Sequence, residues 1–300
     1  MKKILECLSG HDGVWVVGGA VRDLLLGVEP RDIDLLVHEG VALPLLALIE
    51  QHHNAKPFLI KEAFGVWRFQ LGTLALDIAT FTDTLESDLA KRDFTINAMA
   101  LKIDDYLSGS AEQIIAPFMG KRHLELGIIE PVGPHSIMAD PVRILRCARF
   151  QAERGMSSSL ALNGQARSYA EKLKDCPGER LWSEVKLIMN APFALRGLDW
   201  LDEIGALAVL FPEMEAEKGV VQNEFHHFEV FEHSRRALAH YLDIWEKADF
   251  LDPNVQECVA NYQETTLMSN LAVYKLAAFL HDIGKPSAKG YRSDGKVTFY

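Results

Sequence analysis

The chain has 300 residues, 48% of them hydrophobic and 24% charged, which is enough for two or more domains with buried cores. No run is long and apolar enough for a membrane segment, and Lys2-Lys3-Ile4-Leu5 is interrupted by Glu6, so neither an anchor nor a signal peptide is expected and a cytoplasmic protein is. A formal net charge of −11 weighs against non-specific polynucleotide binding, and Cys7, Cys147, Cys176 and Cys258 form no C-x-x-C pair, which argues against a zinc ribbon or a disulfide framework.

In chain order, Val14 to Val17 reads as a strand, Gly18-Gly19 as a turn, and Ala20 to Leu26 as a short helix stopped by Gly27. A glycine pair at such a turn lets backbone N–H groups approach an anion, and Arg22 lies one turn in, within reach of a phosphate. Asp32 and Asp34 flank Ile33 in a second strand, so alternation puts both carboxylates on one face. Two such carboxylates repel each other unless a cation lies between them, and hard oxygen ligands suit Mg²⁺. Residues 41–53 read as a helix and 57–60, 65–71 and 73–81 as strands, giving a small mixed sheet with Asp77 on the face opposite Leu76 and Ile78. Residues 85–101 read as helical and 103–133 as turn-rich. Beyond Ala139 the pattern becomes almost continuous helix, over 140–154, 157–174, 179–190, 192–203 and 204–210, then 230–249 and 270–283, with 250–265 as a polar separator.

GGAVRDLLLG followed by DID closely resembles the signature of the tRNA nucleotidyltransferase and bacterial poly(A) polymerase family, within the DNA polymerase β-like nucleotidyltransferases. The second stretch, Lys91-Arg92-Asp93-Phe94-Thr95-Ile96-Asn97-Ala98, resembles the family's RRDFTINA motif with Lys91 for the first Arg. The resemblance implies that Arg92 contacts the triphosphate and that Asp93 and Asn97 lie near the sugar. The third, Asp140-Pro141-Val142-Arg143-Ile144-Leu145-Arg146-Cys147-Ala148-Arg149-Phe150, resembles the family's EDPxRxLRxxRF motif, with Ala139 for its usual acidic residue. By itself Asp140 before Pro141 is a helix cap, and the three arginines share one helix face. By resemblance, Asp140 and Arg143 read the incoming base, while Arg146 and Arg149 complete the phosphate and cleft electrostatics. Glu179-Arg180 with Glu184 resembles a further helical motif, and Arg180 with Glu184 is equally readable as a surface i,i+4 ion pair. Ala116 and His123 stand where the family usually carries Asp, and no catalytic role is assigned to them.

His233 and His281-Asp282, the latter followed by Ile283-Gly284-Lys285, resemble the metal set of the HD phosphohydrolase superfamily. Its last Asp would lie beyond Tyr300, so the site is incomplete; His226 and His227 lie off the pattern. The apolar run Val297 to Tyr300 suggests a partial sequence.

The fold expected is an α+β nucleotidyltransferase head at 1–138, a helical neck and body at 139–218, and an HD-like helical domain at 219–300. The expected function is addition of cytidines to the tRNA 3′ end from CTP, and of adenosine from ATP if the full CCA is made. Two Mg²⁺ ions are expected in the head, held by Asp32 and Asp34 with Asp77 as third carboxylate, and a further divalent metal in the HD-like site. A bacterial poly(A) polymerase and an HD phosphohydrolase with a nucleotide-binding head are the alternatives. Only Thr82-Asp83-Thr84 separates the end of the strand that carries the third carboxylate, Asp77, from the next helix, where CCA-completing members carry a flexible loop. This favours a CC-adding specialist that leaves the terminal adenosine to a separate enzyme.

Overall fold

The computed structural model describes residues 5–30, 32–61, 65–72, 74–81, 83–222, 227–246, 252–260, 262–263 and 268–299. Lys2, Lys3, Ile4, Thr82, His226, Tyr300 and the Cys258 side chain lie outside that description. The chain divides into two compact units, Met1–Ser136 and Ile137–Tyr300.

The first unit is built on a six-stranded sheet. Its strands are β1 (Val14–Val17), β2 (Asp32–His38), β3 (Phe58–Lys61), β4 (Val66–Leu71), β5 (Leu74–Phe81) and β6 (Ala100–Lys102), in the spatial order β3-β4-β5-β2-β1-β6. Only β2 and β5 run parallel, so the sheet is mixed. Helices α1 (Gly19–Leu25) and α2 (Glu39–His53) belong to the larger core, where Val21, Ile33, Leu35, Ile49, Leu76 and Ile78 are each 0 or 1% exposed. The opposite face carries a smaller cluster of Val17, Leu36, Leu85, Leu89, Ala98 and Ala100, built around α3 (Leu85–Leu89). Leu36 has the parity of Asp34 and Asp32 along β2, so the apolar cover of that face ends where the carboxylates begin. This places them at the uncovered N-terminal end of a central strand.

The helix read over 85–101 is corrected by the structure. Helix α3 stops at Leu89, Thr95–Asn97 forms a 3-10 turn, and Ala100 to Lys102 pairs antiparallel with Val17 to Trp15. The reason is local hydrogen bonding: the Asp93 carboxylate accepts from the Phe94 N–H (2.7 Å), and the Thr95 N–H donates to the Glu130 carbonyl (2.9 Å), which removes both from any helical ladder. Helices α4 (Ile103–Ser108) and α5 (Gly120–Glu125) follow.

The second unit is mainly helical: α6 (Arg143–Arg154), α7 (Leu160–Tyr169), α8 (Gly178–Asn190), α9 (Ala194–Glu203), α10 (Ala206–Leu210), α11 (Pro212–Glu217), α12 (Val230–Glu246), α13 (Pro253–Ala260), α14 (Asn270–Leu280) and α15 (Lys285–Ala288). Helix α13 lies inside the stretch read as a polar separator. Helix α9 packs on α6 so closely that a Cβ at Gly197 would stand 2.7 Å from the Ala148 carbonyl oxygen. Lys275 on α14 is 2% exposed and donates to the carbonyl of Ala191, the residue that caps α8 (2.7 Å), which ties the two helices together. Among the described residues no helix is long and apolar enough to cross a membrane.

Candidate functional site

The glycine turn between β1 and α1 is obligatory. Gly18 has φ +73° and ψ −133°, and a Cβ there would stand 2.4 Å from Arg92 Nη1 and 3.2 Å from an Asp34 carboxylate oxygen. Gly18 also donates its N–H to the Met99 carbonyl (3.1 Å), so the residues after the RRDFTINA-like stretch hold the turn in place. Three separate sequence features converge here: the turn, Asp34 on β2, and Arg92, whose Nη1 is 3.7 Å from Asp34 Oδ2. Asp32 is exposed and the Asp34 side chain retains 44% exposure, so both oxygen sets face solvent beside a cation. That donor set, two hard carboxylates of one strand face, fits Mg²⁺.

Asp77 stands directly in register with Asp34 on the neighbouring strand, a pairing that alternation within β5 alone does not fix. Both of its oxygens are held by Arg68 from β4, with Nε and Nη2 each at 2.6 Å. Asp77 pushes the Arg68 pKa up, with smaller contributions from Asp32 and Asp34, so this guanidinium lies in the field of all three carboxylates. Sequence reading missed Arg68 because its partner is set by the register Arg68↔Asp77 across a hairpin.

Arg22, Asp93 and Asn97 form an internal chain. Arg22 donates to Asn97 Oδ1 (2.6 Å) and to Asp23 Oδ1 (2.9 and 3.1 Å), and Asn97 Nδ2 donates to Asp93 Oδ1 (3.0 Å). Asp93 and Asn97 are each 5% exposed. Gly19 opens α1 with its would-be Cβ 3.4 Å from Arg22 Nη2. His123 meets Thr95 Oγ1 (2.8 Å), and a Cβ on Gly120 would stand 2.1 Å from the Thr95 carbonyl oxygen, so α5 buttresses the same stretch. The unusual His123 is thus a bonded neighbour of the motif.

In the second unit, Arg143 opens α6 and Arg143, Arg146 and Arg149 recur every three residues along it, each half-buried. Asp140 accepts the Val142 N–H (3.3 Å) and pairs through Oδ2 with Arg180 of α8 (2.7 Å). Glu184 of α8 faces Arg149 (3.4 Å), whose guanidinium also lies 5.0 Å from the Phe150 ring centre. Both charges of the α8 stretch therefore reach across to the α6 region, which displaces the surface i,i+4 reading.

His233 on α12 and His281-Asp282 after α14 do come together. His281 Nε2 lies 3.3 Å from His233 Nε2, and Asp282 Oδ2 lies 3.3 Å from His281 Nε2 and 3.6 Å from His233 Nε2. Their three donor atoms are close enough to hold one metal ion. Lys285 also pairs with Asp282 Oδ2 (2.7 Å), so an ion there would share that carboxylate with an ammonium. Nearby Glu217, with no signal in the sequence, is wholly buried, and burial pushes its carboxyl up to about 7, with Asp282 raising it further and Ser234 and His281 opposing.

Residues 14–130 match the poly A polymerase head domain, and 165–218 match the probable RNA and SrmB-binding site of polymerase A. An A-adding tRNA nucleotidyltransferase from Deinococcus radiodurans is 32% identical over 279 residues, covering 91% of this chain and 57% of that protein. A CC-adding tRNA nucleotidyltransferase from Thermus thermophilus is 29% identical over 281 residues, covering 92% and 57%. A crystal structure of a tRNA nucleotidyltransferase complexed with a primer tRNA and an incoming ATP analog superposes with a TM-score of 0.66 at 27% identity, covering 90% of this chain and 72% of that one. The head fold and the helical remainder define a DNA polymerase β-like nucleotidyltransferase architecture. Over most of its length the chain is similar to tRNA nucleotidyltransferases, and residues 14–130 carry the poly A polymerase head. The chain spans 57% of the length of the two curated relatives named here.

Proposed function

We propose that this chain adds cytidines to the 3′ end of tRNA from CTP without a template. The observation that carries the reading is the convergence of Gly18, Asp34 and Arg92, a glycine turn with a metal-type carboxylate and a guanidinium against it. Asp32 and Asp34 hold Mg²⁺, which when bound neutralises triphosphate charge and makes the attacking 3′-oxygen a better nucleophile. Asp77 serves by holding Arg68 in the field of that pair. Arg92 binds the triphosphate as a fork with a fixed position. The Arg22–Asn97–Asp93 chain sets the shape of the sugar end of the site, since each member fixes the next one's orientation.

Asp140 and Arg143 present an acceptor and a donor to the base, with Arg180 fixing the Asp140 carboxylate. Arg146 and Arg149 contribute positive charge along α6, and 139–218 is the base-reading and RNA-binding part. The cluster of His233, His281 and Asp282 takes a divalent ion of its own.

Two cytidines and no adenosine is the preferred outcome. Between Phe81, the end of β5, and Leu85, the start of α3, Thr84 is already committed as the helix cap, its hydroxyl accepting the Ser87 N–H (3.1 Å). Little chain is left to act as a lever for re-aiming at a second base. The 32% identity to an A-adding enzyme supports a second reading, addition of adenosine. Supplying fully trimmed tRNA with CTP, and separately tRNA ending in CC with ATP, separates the two. We expect two cytidines on the first and no extension of the second; efficient adenosine incorporation overturns the CC-only reading.

A further inference from the structure

A second group of metal-type side chains lies in the first unit, away from the carboxylates of β2. Cys7 sits in a single 3-10 turn, Glu6–Leu8, and His52 and His53 close α2 before Asn54, whose φ of +51° ends the helix. The two elements are pinned by one core: Leu5 and Leu8 are 0% exposed, and Leu45, Leu46 and Ile49 of α2 are buried with them. Cys7 Sγ and His53 Nε2 are 3.9 Å apart, and the His52 and His53 rings stand 4.7 Å apart at 61°. One donor atom from each of the three lies within 4.8 Å of the others.

We propose that Cys7, His52 and His53 form a transition-metal site for Zn²⁺, with three protein ligands and an open fourth position. A tetrahedral zinc with Zn–S of about 2.3 Å and Zn–N of about 2.05 Å spaces sulfur and nitrogen about 3.6 Å apart. The Cys7–His53 pair is already within a few tenths of an ångström of that spacing. His52 is exposed and closes the remaining gap by side-chain rotation. One thiolate and two imidazoles are a borderline-soft set that selects zinc over magnesium, whereas Asp32 and Asp34 are hard donors that do the reverse. The position at the C-terminal end of a 15-residue helix favours a cation, because the last carbonyls of α2 converge there. Binding takes the thiolate form of Cys7, and the thiol proton leaves to solvent as the metal–sulfur bond forms. The bound ion staples the chain's first turn to the end of α2.

The test uses the full chain, stripped with chelator and titrated with Co²⁺ alone, and does not depend on nucleotide addition. The expected result is a near-ultraviolet thiolate-to-cobalt charge-transfer band with the visible bands of a four-coordinate ion, saturating at one equivalent and bleached by Zn²⁺. Cys7→Ser abolishes the charge-transfer band, and His53→Gln weakens cobalt affinity tenfold or more. His233→Ala, in the other cluster, leaves the band unchanged, because only a site with a sulfur ligand produces it. Zinc raises Tm by a few degrees in the wild type and not in the variants. Absence of the band overturns the proposal and leaves a thiol–imidazole hydrogen bond only; so does a band that survives Cys7→Ser. Should Cys7→Ser fail to fold, the double variant His52→Gln/His53→Gln decides the matter, since a band retained there equally overturns the site.

Discussion

In the first unit Asp32 and Asp34 stand two residues apart on one strand, exposed, with their cations supplied by Arg92 at 3.7 Å from Asp34 and by Arg68 on the next strand but one. In the second unit opposite charges are brought together by crossing helices: Asp140 meets Arg180 of α8, and Arg149 of α6 meets Glu184 of α8. A strand repeats every two residues, so it can set like charges side by side, and such a pair is left wanting an external cation. Crossing helices match opposite charges from different turns and satisfy them internally. The head therefore keeps like charges side by side where solvent reaches them, with arginines from other strands and loops beside them, and the helical unit pairs opposite charges across its helices. Glu217 is the exception, a carboxylate buried in the helical unit with neither oxygen in a hydrogen bond of good geometry.

The largest effect expected is on the strand pair. Asp34→Ala should lower cytidine addition by about a thousandfold or more, since a catalytic metal contributes several kcal/mol and each ~1.4 kcal/mol is tenfold. Stability should stay within about 0.5 kcal/mol of wild type, because the side chain is half exposed and carries little of the core. Labelled-CTP incorporation with a parallel thermal melt checks both halves. If more than a tenth of the activity survives with Mg²⁺ present, the Asp32–Asp34 pair is not the metal site.

Glu217 sharpens the contrast through pH. Its carboxyl is pushed up to about 7 from 4.5, so the folded protein binds more protons than the unfolded chain between those values. Stability is then lost as pH rises from about 4.5 through about 7, and the loss is complete above that. Glu217→Gln, which cannot ionise, should raise stability above pH 7 by on the order of 3 kcal/mol and change it little below pH 4.5. Melting curves taken across this window test the assignment; parallel curves for variant and wild type would mean that the carboxylate is compensated after all.

The same contrast explains what was legible in the sequence. The β1 strand, the Gly18 turn and the shared face of Asp32 and Asp34 depend on local period and were readable, whereas the alignment of Asp77 with Asp34 depends on the pairing of β5 with β2. The helix over 85–101 was not, because a pairing of β6 with β1 and the Asp93 turn outweighed the apolar spacing of residues 98–101. Arg68 on Asp77 depends on hairpin register, and Arg180 on Asp140 and Glu184 on Arg149 depend on how α8 crosses α6. The sequence could nominate Arg180 and Glu184, but the nearest partner by spacing was each other. Burial of Glu217 leaves no local pattern at all.

Base choice gives the next smaller effect. Arg143→Ala should cost about 1–3 kcal/mol of discrimination, the range of a bidentate contact to a base edge. Arg92→Ala should weaken all four nucleotides alike. Competition between labelled CTP and UTP reads the difference directly, and unchanged selectivity in the Arg143 variant would remove it from the base-reading pair.

The smallest effect belongs to Arg180, which acts only through Asp140. The pair is close, at 2.7 Å, but the Arg180 side chain is 50% exposed and that of Asp140 29%, and exposed pairs of this kind contribute only about 0.2–1 kcal/mol. Asp140 also accepts the Val142 N–H, so losing Arg180 leaves the carboxylate tethered at one oxygen and free to turn at the other. Arg180→Ala should therefore reduce CTP-over-UTP selection only a few-fold while leaving the maximal rate for CTP unchanged, and Arg180→Lys should restore part of it. Raised salt should shrink the wild-type advantage over Arg180→Ala, because an exposed pair is screened. A merely structural role would move Tm without moving selectivity. That outcome would place the α8 crossing in the scaffold and leave Asp140 oriented by its own helix end.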